Sequence, residues 1–111
     1  MKFNIRDSTC KLEGYRQTSV FFWCPGCEYL HRFVIARDHS GPVWVVTGAG
    51  DDLTFSPSLL INGSDPKTRC HSFVRGGRIQ FLGDCWHSLK GQTIDVPEIP
   101  KGYFGDLDDQ K

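Results

Sequence analysis

The chain has 111 residues, with 13 basic against 13 acidic side chains, 39% apolar and 13% aromatic content. That length suggests one domain, and the apolar fraction excludes a disordered chain. The zero formal net charge gives no global field that would recommend nucleic acid or a membrane surface as a partner.

The opening segment "MKFNIRDSTCKLEG" has no apolar h-region of the kind that marks a secretory signal. No apolar run approaches the roughly 18 residues of a membrane span. A cytoplasmic setting is therefore expected, and five cysteines in a reducing compartment need a reason other than disulfides. Helical periodicity is poor, because Gly or Pro interrupts most windows, and strand signals are frequent. "TSVFFW" (18–23) is a short β-rich run, and "CPGC" (24–27) follows it. "LHRFVIA" (30–36) alternates, with His31, Phe33 and Ile35 on one face. "PVWVVT" (42–47) is a third strand and "GAGDD" a loop. "LTFSPSLLI" (53–61) is a fourth strand, broken or bulged at Pro57. "NGSDPK" (62–67) is a turn cluster, and its Asn62-Gly63-Ser64 triplet reads as a turn. "CHSFV-RGGR-IQFLGDC" is the clearest hairpin, with Gly76 and Gly77 supplying positive φ at both turn centres. Phe21, Phe22, Trp23 and Trp44 are the expected core aromatics. Residues 94–111 carry five acids against two lysines and read as an extended acidic tail behind a domain of residues 1–93. The fold expected is all-β: a small antiparallel sheet domain in which a zinc knuckle and a β-hairpin clamp one metal ion.

The metal argument starts from Cys24-Pro25-Gly26-Cys27. A turn of this kind lets two thiolates converge on one ion, and a Zn²⁺ site needs two further ligands. If Gly76 and Gly77 are the hairpin centres, Arg75 faces Arg78, Cys70 faces Gly83 and Thr68 faces Cys85. Cross-strand partners share a face, as do residues two apart. Cys70 and Cys85 then become diagonal neighbours, and His71 falls on the opposite face. This register selects Cys24, Cys27, Cys70 and Cys85. A bulge near Gly83 would shift it by one and bring His71 or His87 into the site instead. Cys10 reads as a free thiol.

Other chemistry is weighed against bland readings. Asp84 and His87 flank Cys85, and His71 follows Cys70, so an open zinc position with a proton-shuttling side chain is conceivable. No His-x-Glu with Pro-Cys-x-x-Cys and no His-Glu-x-x-His accompanies them. The 66–78 hairpin carries Lys67, Arg69, Arg75 and Arg78 without an acid, which suits a phosphate backbone or simply a solvated tip. His39, in "RDHSG", reads as a loop residue.

"LTFSPSLLI" followed by "CHSFVRGGRIQFLGDCWHSLKGQTIDVPEIP" resembles small phage- and prophage-encoded zinc-binding proteins of unknown function, many labelled "ammonia monooxygenase". The resemblance covers about residues 20 to 100. It implies Cys24, Cys27, Cys70 and Cys85 as metal ligands, with His71 and His87 at positions typical of the family. A 12.6 kDa chain without electron-transfer machinery does not fit that label. The function expected is protein binding by a domain with a structural Zn²⁺ ion, with a host or phage protein as partner. The alternatives are a metal-dependent enzyme with an open zinc position near His71 or His87, and a nucleic-acid-binding module using residues 66–78.

Overall fold

The computed structural model describes residues 1–9 and 12–102, so Cys10 and the last nine residues of the acidic tail lie outside the described residues. The fold is all-β and antiparallel throughout. No helix among the described residues is long and apolar enough to cross a membrane. Strands β1 (Asn4–Thr9), β2 (Arg16–Cys24) and β3 (Tyr29–Arg37) form one sheet in the order β1-β2-β3. Strand β2 is built from β-branched and aromatic residues, and Val20, Phe22 and Cys24 on one face are fully buried. Its partner β3 buries His31 and Phe33, and a bulge opposite Thr18/Ser19 breaks the alternation near Ile35. Strand β1 escapes a reading by pattern because "NIRDST" has no apolar alternation; it forms by pairing with β2.

Strands β4 (Val45–Ala49) and β5 (Asp52–Ser56) make a hairpin around Gly50 and Asp51. The strand expected at 42–47 therefore starts three residues later and runs on through Gly48 and Ala49. Trp44, just before it, turns its N–H to the Val34 carbonyl instead (2.8 Å). The break expected at Pro57 is present: a cis Ser56–Pro57 peptide and Ser58 separate β5 from β6 (Leu59–Ile61). Strands β6, β7 (Cys70–Arg75), β8 (Arg78–Phe81) and β9 (Thr93–Asp95) form the second large sheet in that order.

The β7–β8 register is the one that a Gly76–Gly77 turn dictates: Arg75 faces Arg78, and pairing runs to Ser72 opposite Phe81. Both glycines have positive φ, and a side chain at Gly77 would meet the Asp51 carbonyl at 2.2 Å. The hairpin tip is thereby locked to β5, with Gly77 N–H donating to Leu53 O (3.0 Å) and Gly76 N–H to Thr54 Oγ1 (2.8 Å). The core lies where these elements meet. Phe33 and Phe55 stack at 4.0 Å, Phe22 and Phe3 flank them, and Val74, Ile79 and Phe81 add the second sheet. Of the expected core aromatics Phe22 is fully buried and Trp44 packs on Phe33, while Phe21 and Trp23 are half-buried on the other face of β2. Beyond residue 93 the chain still belongs to this body, since Ile94 and Asp95 pair with β8 and Val96 is fully buried.

Candidate metal centre and a serine–histidine–aspartate line

The CPGC turn joins β2 to β3. Glu28 N–H closes it on the Cys24 carbonyl (2.7 Å), with Glu28 itself at φ 61°, and Cys27 N–H points at Cys24 Sγ (3.4 Å). A backbone N–H aimed at sulfur stabilises the thiolate. Cys70, at the start of β7, places its Sγ 4.0 Å from that of Cys24. The fourth group is His87, whose Nε2 lies 3.6 Å from Cys70 Sγ. The donor atoms of Cys24, Cys27, Cys70 and His87 all lie within 4.8 Å of one another, and three of the four residues are buried. For tetrahedral bonds of about 2.3 Å to sulfur and about 2.05 Å to nitrogen, S···S is about 3.8 Å and S···N about 3.6 Å. The observed 4.0 and 3.6 Å match those edges closely, so the cluster can hold one metal ion.

The electrostatics single out one of the three thiols. The hydrogen bond from Cys70 pulls the Cys24 thiol down to about 4, against the effect of burial, and neighbouring His31 adds to the lowering. The same bond, together with burial, pushes the Cys70 thiol up. Burial also pushes Cys27 up, opposed by the Trp86 Nε1–H that points at its sulfur (3.4 Å). Of the three thiols, Cys24 is therefore the one favoured to ionise first. His31 is buried with neither ring nitrogen hydrogen-bonded, and its ring packs edge-on against Phe22 and Tyr29. Leu89 N–H points at His87 Nδ1 (3.3 Å), which selects the tautomer whose Nε2–H faces Cys70. For Nε2 to hold a metal, the ring proton would have to sit on Nδ1, at the cost of the Leu89 contact.

Gly26 explains why the knuckle is CPGC. A side chain there would lie 2.3 Å from His87 Cε1 and Nε2, so the imidazole rests directly on the glycine. His87 and Trp86 arrive because the chain leaves the β8 ladder after Phe81. Leu82 N–H still bonds the His71 carbonyl (2.9 Å). Cys85 N–H then turns back to Leu82 O (3.2 Å), and Trp86 N–H reaches Arg69 O (2.9 Å).

That turn decides the fate of Cys85. The extended pairing of Thr68 with Cys85 does not form, and Cys85 Sγ is not among the four clustered donors. Its thiol instead accepts the His71 N–H (3.2 Å) and donates to the His71 carbonyl (3.1 Å). The clustered set is thus Cys24, Cys27 and Cys70 with His87, the imidazole alternative that a shift near Gly83 allowed. His71 stays on the face of β7 opposite Cys70, as its register requires.

On that opposite face a second constellation stands. Ser58 Oγ lies 3.0 Å from His71 Nε2, and His71 Nδ1 lies 3.3 Å from Asp84 Oδ2. Leu60 faces His71 across the β6–β7 ladder, and Ser58 is two residues upstream on the same face, which brings hydroxyl and imidazole together. Trp44 Nε1–H donates to the Ser58 carbonyl (3.2 Å) and fixes that backbone. Asp84 comes from the 82–85 turn that Cys85 pins to residue 71. Sequence reasoning named His71 and Asp84 but missed Ser58. The serine carries no local motif, and its one signal is a strand break whose partner in β7 lies 13 residues away.

Fold and site together define a small antiparallel β protein with a four-donor cluster able to hold a metal ion on one face of β7 and a serine–histidine–aspartate line on the other. The chain belongs to the BubE family: a family model described as "Bacterial ubiquitination-like system serine protease (BubE)" matches residues 2–82. Ser58 and His71 lie inside the matched span, and Asp84 and His87 lie beyond it. No curated protein and no solved structure matches the chain.

Proposed function

We propose that this chain is a serine peptidase with Ser58 as nucleophile, His71 as general base and Asp84 as the group that orients the imidazole. The observation that carries the reading is the unbroken line from Ser58 Oγ through His71 Nε2 and Nδ1 to Asp84 Oδ2, at 3.0 and 3.3 Å. Nucleophile and base within hydrogen-bond reach, with the base held by a third group, is the geometric signature of an activated hydroxyl. The family's description as a serine protease of a ubiquitination-like system supports the reading and suggests an amide bond as the target.

The chemistry follows from the geometry. Ser58 Oγ attacks the substrate carbonyl as its proton passes to His71 Nε2. Asp84 accepts from Nδ1–H and stabilises the imidazolium. Collapse of the tetrahedral adduct breaks the C–N bond, and the Nε2 proton leaves with the amine. Water then repeats the sequence on the acyl-serine and releases the acid.

The metal is structural in this reading. Three thiolates and an imidazole complete a tetrahedral shell and suit zinc. Held by Cys24, Cys27, Cys70 and His87, an ion would join the β2–β3 turn to β7 and to the 85–87 segment, and so would support the strand and the turn that carry His71 and Asp84. A reducing, cytoplasmic setting suits the four free thiols at 24, 27, 70 and 85.

The test is covalent labelling with diisopropyl fluorophosphate and peptide mapping by mass spectrometry. A single adduct on Ser58 is expected, absent in Ser58→Ala and slowed on the order of 10⁴-fold in His71→Ala, as for loss of a triad member. A folded, metal-loaded protein that takes no adduct at Ser58 sinks the proposal.

A further inference from the structure

The orientation of each backbone group along β6 follows from the hairpin register. A two-residue turn at Gly76–Gly77 makes Arg75 and Arg78 a hydrogen-bonded pair, and bonded pairs then alternate along β7. Phe73 and His71 therefore turn their N–H and C=O toward β8. The Leu82 N–H bond to the His71 carbonyl (2.9 Å) and the Cys85 thiol on the His71 N–H agree. Cys70 and Ser72 must then bond β6, through their partners Ile61 and Leu59. Leu60, opposite His71, turns its N–H and C=O away from β7. The Ser58 carbonyl has the same parity, and it accepts from the Trp44 indole N–H.

Strand β6 is the outermost strand of its sheet, so no strand among the described residues pairs with that outward edge. Leu60 is 51% exposed. The edge "LLI" has no charge, proline or bulge of the kind that usually blocks strand addition. It also starts at the residue after Ser58.

We propose, resting on the peptidase reading above, that the outer edge of β6 docks the substrate as an extended antiparallel strand. The substrate residue two places before the scissile carbonyl pairs with Leu60 through both its N–H and its C=O. Only antiparallel pairing gives two bonds to one residue. Counting two residues on from Leu60 then puts the reactive carbonyl beside Ser58 Oγ, and because Trp44 occupies the Ser58 carbonyl, main-chain pairing ends at Leu60 and the scissile residue leaves the ladder there. Main-chain bonds of this kind give affinity without demanding a particular sequence. The substrate class is therefore an unfolded or tail-like polypeptide, in contrast to a folded loop.

The test uses the metal-loaded full chain, diisopropyl fluorophosphate, and a synthetic library of random decapeptides read by mass spectrometry. Wild type is expected to take the adduct on Ser58 and to cleave the library. Leu60→Pro removes the outward N–H without removing a bond of the β6–β7 ladder, since that group takes no part in it. It is expected still to take the adduct, and to lose library cleavage at least tenfold more than it loses adduct rate. The best-cleaved sequence is then resynthesised with one backbone N-methyl group at a time, a measurement that does not depend on how the variant folds. Methylation two residues before the scissile carbonyl should lower kcat/KM at least tenfold, and methylation three residues before it should have little effect. An adduct on Ser58 with an uncut library, an N-methyl profile without that alternation, or Leu60→Pro cleaving as fast as wild type would each overturn the edge assignment. Absence of the adduct in wild type would overturn the peptidase reading itself, which keeps the two failures distinct.

Discussion

Gly26→Ala puts the metal geometry under direct strain. The new Cβ would sit 2.3 Å from His87 Cε1 and Nε2 and 2.5 Å from Cδ2. Ordinary contact begins at about 3.4 Å, so the ring would have to retreat by about 1.1 Å. Metal–ligand distances tolerate about 0.2 Å. Nor can the ring escape easily, because it is buried, stands edge-on to Phe81 at 4.5 Å and is covered by Trp86. The variant should therefore lose the imidazole while keeping the three thiolates. Disturbing the groups that only orient a ligand already lowers affinity 10- to 100-fold, so loss of the ligand should reach at least about 100-fold, equivalent to about 2.7 kcal/mol. Competition against a chromophoric metal indicator measures the affinity, and the d–d bands of the Co²⁺-loaded protein report the ligand set. Wild-type zinc affinity in Gly26→Ala, with a Co²⁺ spectrum unchanged, would refute the placement of His87 on the knuckle.

Cys85→Ala should retain one metal ion per chain, whereas His87→Ala should bind it far more weakly; the reverse pattern would restore the four-thiolate set. Cys85→Ala leaves the partly buried His71 N–H without its acceptor and should lower stability by about 1–3 kcal/mol in chemical denaturation. Metal binding should release the protons of two thiols. Burial raises Cys27, and the Cys24 bond together with burial raises Cys70, so these two are expected to hold their protons until the ion arrives, whereas the lowered Cys24 is expected to be ionised already. Affinity should accordingly rise with pH by about two decades per unit near neutrality, and calorimetry in buffers of different ionisation enthalpy counts the protons. A slope near zero would mean that the thiols are ionised before the ion arrives. His39→Ala should change stability by no more than about 0.5 kcal/mol, because the ring only stacks on exposed Tyr15 and faces Asp38 in a surface loop.

The sequence revealed features governed by local rules. A Gly-Gly pair sets the hairpin register, a Pro breaks the 53–61 strand, and two cysteines flanking Pro-Gly form a knuckle. It also placed Cys70 and His71 on opposite faces, because alternation along a strand is strict. It did not reveal where the β7–β8 ladder ends. The return bonds of Cys85 N–H to Leu82 and Trp86 N–H to Arg69 depend on the tertiary fit of His87 over Gly26. One turn thus exchanged a thiol for an imidazole in the cluster and set Cys85 to hold the His71 backbone. Ser58 stayed hidden for a related reason. A serine without a sequence motif becomes visible only through its partner, and here that partner sits across a strand pairing formed after the eight-residue turn segment 62–69.

Cys70 and His71 are consecutive residues that face opposite ways out of one strand, so the metal cluster and the imidazole that meets Ser58 share a backbone without sharing a pocket. On the peptidase reading, stripping a bound ion with a chelator would loosen the strand that presents the base, and hydrolysis would fall although the ion takes no part in bond cleavage. In an inhibitor survey such a protein would answer both to organophosphates and to chelators, and would be filed under two mechanisms when it uses one. In a cell, metal starvation would then act as an off-switch.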